Sequence, residues 1–291
     1  MTTPTRPFAT AALAAASLTL TAATTTHAQQ GPAELWSVGG ANNGAPVSEF
    51  DETTQSFGPT LFEVAPVGPA NAAEIEYTGS TFVVSNVRAG EITVWDATSY
   101  ALIATVPYNL TASTAGIDAI TALEYVDGVM YAASAERGGS ISEFGTLDLT
   151  TGVFTPIAVT GYAGPLSGLA FDGTTMYAST GGGDNGLYAI DLATGITSLT
   201  GEASTVEAYY DLEFGADGVL YAMGDNALPG GSSDELFTVD PLTGLATPQG
   251  ALNAPPSSTG ITSTFIIPEP TSLALLALGG LLVARRRRRS A

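Results

Sequence analysis

The amino-acid sequence predicts an all-β fold, a β-propeller of five four-stranded blades closed by pairing of N- and C-terminal strands, followed by a C-terminal apolar helix. Three observations predict it. The middle of the chain repeats with a period of roughly 46 residues, the length of one four-stranded blade. Composition favours turns and strands: there are 34 Gly and 17 Pro, only 12% of residues are charged, and the 45% that are hydrophobic suffice for a core. Beyond the last complete repeat one strand is left over, as a closed ring of blades requires.

The clearest unit starts at Leu166 and runs Leu-Ser-Gly-Leu-Ala-Phe171, Asp172-Gly173, Thr-Thr-Met-Tyr-Ala-Ser179, a Gly-rich loop, Gly186-Leu-Tyr-Ala-Ile-Asp191, Leu-Ala-Thr-Gly195, then Ile-Thr-Ser-Leu-Thr200. It reads strand, turn, strand, loop, strand, turn, strand. Two markers follow the copies along the chain. One is the aromatic of the second strand: Trp36, Phe82, Tyr131, Tyr177 and Tyr221. The other is the acid that ends the third strand: Asp51, Asp96, Asp148, Asp191 and Asp240, the last three followed four residues on by Gly152, Gly195 and Gly244. An Asp that accepts from the next backbone amides and a Gly free to take positive φ are what a tight hairpin needs, so these acids are read as turn residues and not as metal ligands. Ala73–Tyr77, Ile120–Tyr125, Leu166–Phe171 and Tyr210–Phe214 are the first strands of their units. The first unit lacks one, and Gly260–Ile267 is the strand without a blade, so it is expected to complete the first. A sixth or seventh blade would need more sequence than exists, and a β-sandwich would not need the repeat.

The two ends read as addresses. Residues 1–28 begin with Arg6, continue through an Ala/Leu/Thr run from Phe8 to Ala23 and close on small residues up to Ala28, the layout of a signal peptide cut by signal peptidase between Ala28 and Gln29. Residues 29–267 form the repeat domain. In residues 268–291, Pro268-Glu269-Pro270 precedes an apolar run Leu273–Ala284 and the cluster Arg285, Arg286, Arg287, Arg288 and Arg289. The prolines cannot donate to a sheet ladder, the Leu/Ala run is a helix suited to lipid, and the arginines hold its end in the cytoplasm. Thr271–Ala284 would make roughly 21 Å of helix against a hydrocarbon core of about 30 Å, short enough to read as a temporary anchor in the inner membrane.

Tripeptide, apolar helix and Arg cluster in this order resemble the PEP-CTERM sorting signal of Gram-negative bacteria, a tail also labelled an ice-binding protein C-terminal domain. The resemblance covers the last residues only. It implies processing by an exosortase and delivery to the cell surface or to the exopolysaccharide matrix.

Charge narrows the partners. All eight bases are Arg, and only Arg88 and Arg137 lie between Gln29 and Pro268, against 27 of the 28 acids, which leaves that segment a net charge of −25. Such a body repels nucleic acid and anionic membranes. There is no Cys, and the single His, His27, falls in the leader. The mature chain would therefore hold no His, Cys or Lys, which excludes a Ser-His-Asp or Cys-His site, a His-ligated zinc and a Schiff-base lysine. Carboxylates remain. Glu76, Glu124 and Glu213 share one position of the first strand, just before an aromatic, where a ring of acids at a channel mouth could hold Ca²⁺; the alternative is that they sit at strand ends in water. Gly181–Gly186, Gly224–Asn226 and Asn42–Gly44 carry Asp and Asn among glycines but lack EF-hand spacing, and are read as turns. The expectation is a non-enzymatic, exported binding or structural protein at the cell surface or in its polysaccharide. A carboxylate-based enzyme acting on matrix polysaccharide and a calcium-dependent adhesin are the alternatives.

Overall fold

The computed structural model describes residues 35–264, save 40–44, 52–55, 65–71, 115, 137–140, 161–163, 181–185, 203–205, 227–234 and 252–257. Strands β1 (Leu35–Gly39), β2 (Ala45–Asp51), β3 (Ser56–Phe57) and β4 (Phe62–Val64) open the first blade. The second comprises β5 (Ala72–Tyr77), β6 (Thr81–Asn86), β7 (Glu91–Asp96) and β8 (Leu102–Pro107). The third comprises β9 (Ala119–Val126), β10 (Val129–Ala135), β11 (Ser142–Leu147) and β12 (Phe154–Val159). The fourth comprises β13 (Leu166–Phe171), β14 (Met176–Thr180), β15 (Gly186–Ile190) and β16 (Thr197–Glu202). The fifth comprises β17 (Val206–Phe214), β18 (Leu220–Asn226), β19 (Glu235–Val239) and β20 (Ala246–Ala251). Each is an antiparallel meander, the connection that short turns allow.

The leftover strand is β21 (Ser258–Ser263), and it pairs antiparallel with β1, Leu35 opposite Ser263 and Trp36 opposite Thr262. It thus supplies the missing inner strand of the first blade, whose outer position is shared by β3 and β4, both paired to β2. The five-bladed, terminus-closed ring expected from the repeat is the fold. Among the described residues no helix is long and apolar enough to cross a membrane. The leader, the cut between Ala28 and Gln29, the Pro-Glu-Pro tripeptide, the apolar run and the Arg cluster lie outside the described residues.

Apolar burial falls between blades. Trp36, Val47 and Phe62 of the first pack on Ile75, Phe82 and Trp95 of the second. Val83 and Ile92 of the second pack on Leu123 and Phe154 of the third. Phe144 joins Leu169 and Met176, Leu187 joins Tyr209 and Phe237, and Met223 and Leu236 of the fifth close on Leu35 and Ile261 of the first. Successive side chains of a strand point to opposite faces, so a second strand such as β6 feeds two interfaces, with Phe82 and Val84 in one and Val83 in the other.

The expected turn chemistry is present. Asp191 Oδ1 accepts from Ala193 N at 3.0 Å and Thr194 N at 2.8 Å, and Asp148 and Asp96 do the same for their turns. These amides hold all three carboxyls below the usual Asp range. Gly152, Gly195 and Gly244 have φ of 71°, 68° and 70°. Their second role is close approach: a Cβ on Gly152 would lie 2.0 Å from Pro107 O at the end of β8, and one on Gly195 would lie 2.7 Å from Ala158 Cβ of β12. Each turn leans on the outer strand of the preceding blade. In the second blade Tyr100 takes the glycine's place at φ 56°, its ring stacked on Phe62 at 5.7 Å and tilted against Trp36 at 6.0 Å. Aromatic contact offsets the left-handed backbone there. Gly224–Asn226, read as a turn, instead continues β18, paired to Tyr209, Ala208 and Val206 of the long β17. Residues 42–44 and 181–185 lie outside the described residues, and Gly186 begins β15.

Candidate functional site

Five inner strands line the channel: β21, β5, β9, β13 and β17. Glu124, Ala170, Glu213 and Thr262 each lie opposite the aromatic marker of the next strand, Tyr131, Tyr177, Tyr221 and Trp36. Glu76 is displaced by one residue, opposite Val83 beside Phe82. This position therefore reads Thr262, Glu76, Glu124, Ala170, Glu213 around the ring.

The three glutamates come together. Glu76, Glu124 and Glu213 each offer a carboxylate oxygen within 4.8 Å of the others. They are not at strand ends in water, the alternative the sequence left open, because they are 5%, 7% and 7% exposed. The inner strands approach so closely that a Cβ on Gly168 would lie 2.6 Å from Asp211 Cα, and one on Gly260 would lie 3.0 Å from Glu74 Cα. A narrow channel is what buries the acids.

Part of each carboxylate's work is structural. Tyr125 N of β9 donates to Glu76 Oε1 of β5 at 2.9 Å, Phe171 N of β13 donates to Glu124 of β9, and Tyr77 N of β5 donates to Thr262 Oγ1 of β21 at 3.0 Å. On β5, β9 and β21 one residue thus accepts the amide of the next blade. The Thr262 hydroxyl in turn donates to Glu76 Oε2 at 3.3 Å. Glu124 Oε2 is buried with no hydrogen-bond partner.

Two further acids, not singled out from the sequence, lie two residues earlier on the same strands. Asp211, fully buried, accepts from Leu212 N at 2.7 Å and from Ile261 N of β21 at 2.6 Å. Glu74, 1% exposed, accepts from its neighbour Ile75 N at 3.2 Å and bonds to the Asp211 carboxyl. A sequence signal existed in the period-two pairs of Glu74-Ile-Glu76 and Asp211-Leu-Glu213, which put two acids on one face of an inner strand. Thr262 stands in register with Glu76 once Gly260-Ile-Thr262 is set against Glu74-Ile-Glu76.

Burial dominates the electrostatics. It pushes Glu76 up to about 8, opposed by the Tyr125 amide and reinforced by the nearby Asp211 charge. It pushes Asp211 up to about 8 as well. Glu124 and Glu213 stand well above the ordinary Glu value, from burial first and then from the neighbouring carboxylates; Glu74 does too, from burial and then Asp211. Unit charges within 4.8 Å of one another repel by about 3.5 kcal/mol or more at an effective dielectric of ~20. Arg88, on the β6–β7 turn, is exposed and compensates none of this. Such a cluster either keeps protons at neutral pH or accepts a cation, and its all-oxygen donors suit a hard one.

The ring and its acid-lined channel place the molecule among five-bladed propellers. The tail defines how it is handled: residues 267–289 match the PEP-CTERM protein-sorting motif. The chain is thus an exported, exosortase-sorted protein that passes through a membrane-anchored intermediate, with a propeller as its body. No curated protein matches the chain. Among solved structures it is similar to hydrazine synthase of Kuenenia stuttgartiensis, with 19% identity and a TM-score of 0.41 over 60% of this chain. The similarity spans 47%, about half, of that chain's length. It is also similar to a protein of unknown function from Bacteroides caccae, with 9% identity and a TM-score of 0.46 over 80% of this chain and 98% of that one. At these levels neither likeness assigns an activity.

Proposed function

We propose that the protein is a non-catalytic propeller displayed at the surface of a Gram-negative cell or in its exopolysaccharide, where it serves as a binding or structural module. The observation that carries this reading is the chemistry left in the body. With the leader removed there is no His, Cys or Lys, and the acids that do converge are at most 7% exposed. A glycosidase needs two carboxyls flanking an accessible glycosidic bond, about 5 to 9.5 Å apart according to mechanism. Glu76, Glu124 and Glu213 are packed more tightly, and a sugar ring would have to part the inner strands to reach them.

Mass spectrometry of surface-fraction protein tests the delivery half. The expected mature chain starts at Gln29, after signal-peptidase cleavage, and lacks Arg285–Arg289; an intact Arg cluster on surface-localised protein would instead mean simple anchoring. Incubation with a panel of matrix polysaccharides tests the other half. Retention without product release is expected, and turnover abolished by Glu76→Gln or Glu213→Gln would overturn the non-catalytic reading.

A further inference from the structure

We propose that Glu76, Glu124 and Glu213 form a calcium site in the channel, one ion per chain, and that the ion ties the second, third and fifth blades to the strand that closes the first. This goes beyond the display role and stands independently of where the protein is delivered.

Four features of the geometry carry it. Three carboxylate oxygens from three blades lie within 4.8 Å of one another. Oxygens bound to one Ca²⁺ at ~2.4 Å can stand at most about 4.8 Å apart, so three oxygens this close can share a single ion. Glu124 Oε2 is buried without a hydrogen-bond partner, an orphan acceptor that a bound ion would satisfy. The three glutamates keep 5–7% exposure, whereas Asp211 and Glu74 keep 0% and 1%. Finally, the donor set contains only oxygen, and the described base, Arg88, is exposed elsewhere, so a hard divalent ion is the species that balances the charge.

The link to ring closure runs through Thr262. Its hydroxyl donates to Glu76 Oε2 and its oxygen accepts from Tyr77 N. An ion that fixes Glu76 therefore fixes the partner of β21 as well. Glu76 also holds the Tyr125 amide of the third blade, so one coordination sphere reaches four of the five blades.

The test uses the full chain in detergent, stripped with EGTA and titrated at neutral pH with CaCl₂ alone. Calorimetry is expected to give one ion per chain, with Mg²⁺ at least about tenfold weaker. At a Ca²⁺ concentration of ~100 times Kd, the melting temperature should rise by about 5 °C or more. Glu124→Gln keeps the shape and removes the charge, and should weaken Ca²⁺ at least about 100-fold while leaving the melting temperature in EGTA unchanged or higher. Glu213→Gln is the second variant should the first not fold. Absence of both heat and melting shift at millimolar Ca²⁺ would overturn the proposal. So would Ca²⁺ affinity unchanged in a folded variant, or Mg²⁺ binding as tightly as Ca²⁺.

Discussion

Stability of the metal-free protein should fall as pH rises from about 5 to 8, opposite to the usual behaviour of paired carboxylates. Glu76 and Asp211 are each pushed up to about 8 by burial, while in the unfolded chain they titrate near 4.5 and 3.8. Below the unfolded values both states hold the proton and the folded state has its full advantage. Between the unfolded value and ~8 the unfolded chain releases a proton that the folded chain keeps, so each pH unit removes about 1.4 kcal/mol per group. From pH ~5 to ~7 a single such group costs about 2.7 kcal/mol, roughly 5 to 10 °C in melting temperature for a domain of this size. Urea denaturation in EGTA, followed by fluorescence of the buried Trp36 and Trp95, should therefore show midpoints that decrease steadily across this window. A midpoint that is flat or rises with pH would mean that the channel acids ionise freely in the folded state, and the account of their burial would be wrong.

The turn glycines offer a matched pair. Gly152→Ala should destabilise by about 2–5 kcal/mol in urea, because its positive φ and the Pro107 carbonyl 2.0 Å from a Cβ act together. Gly90→Ala, with φ of +72° and nothing within 4 Å, should cost only ~1–2 kcal/mol; equal losses would deny the contact between blades. Phe154→Ala, which empties a fully buried position between the second and third blades, should cost about 3–5 kcal/mol by the same measurement.

The blades were legible because their signals are local. An Asp accepting the amides two and three residues on, with an aromatic in the second strand, repeats wherever a hairpin repeats, and Asp96, Asp148 and Asp191 perform the role their spacing implies. Glu76, Glu124 and Glu213 could be paired by position but not placed in depth, because burial at that position depends on how tightly five inner strands converge. Gly168 and Gly260 set that closeness through contacts with Asp211 and Glu74 on neighbouring blades, and spacing along one chain does not reveal which backbone a glycine will meet. Gly224–Asn226 within β18 differs from expectation, and Tyr100 takes a left-handed turn position, for a related reason. In each, the partner that decides the outcome, the rings of Trp36 and Phe62 or the long strand β17, belongs to a different strand.

The pairing of β1 with β21 also fixes an order of assembly. Loop-closure entropy makes contacts between distant segments late to form, and Leu35 meets Ser263 across nearly the whole described chain. The second to fifth blades can meander into place as they emerge from the membrane, whereas the first stays unfinished until the last strand is delivered. The sorting tail follows that strand almost at once. The ring is therefore expected to seal while the chain is still tethered, so that processing of the tail acts on a body already closed.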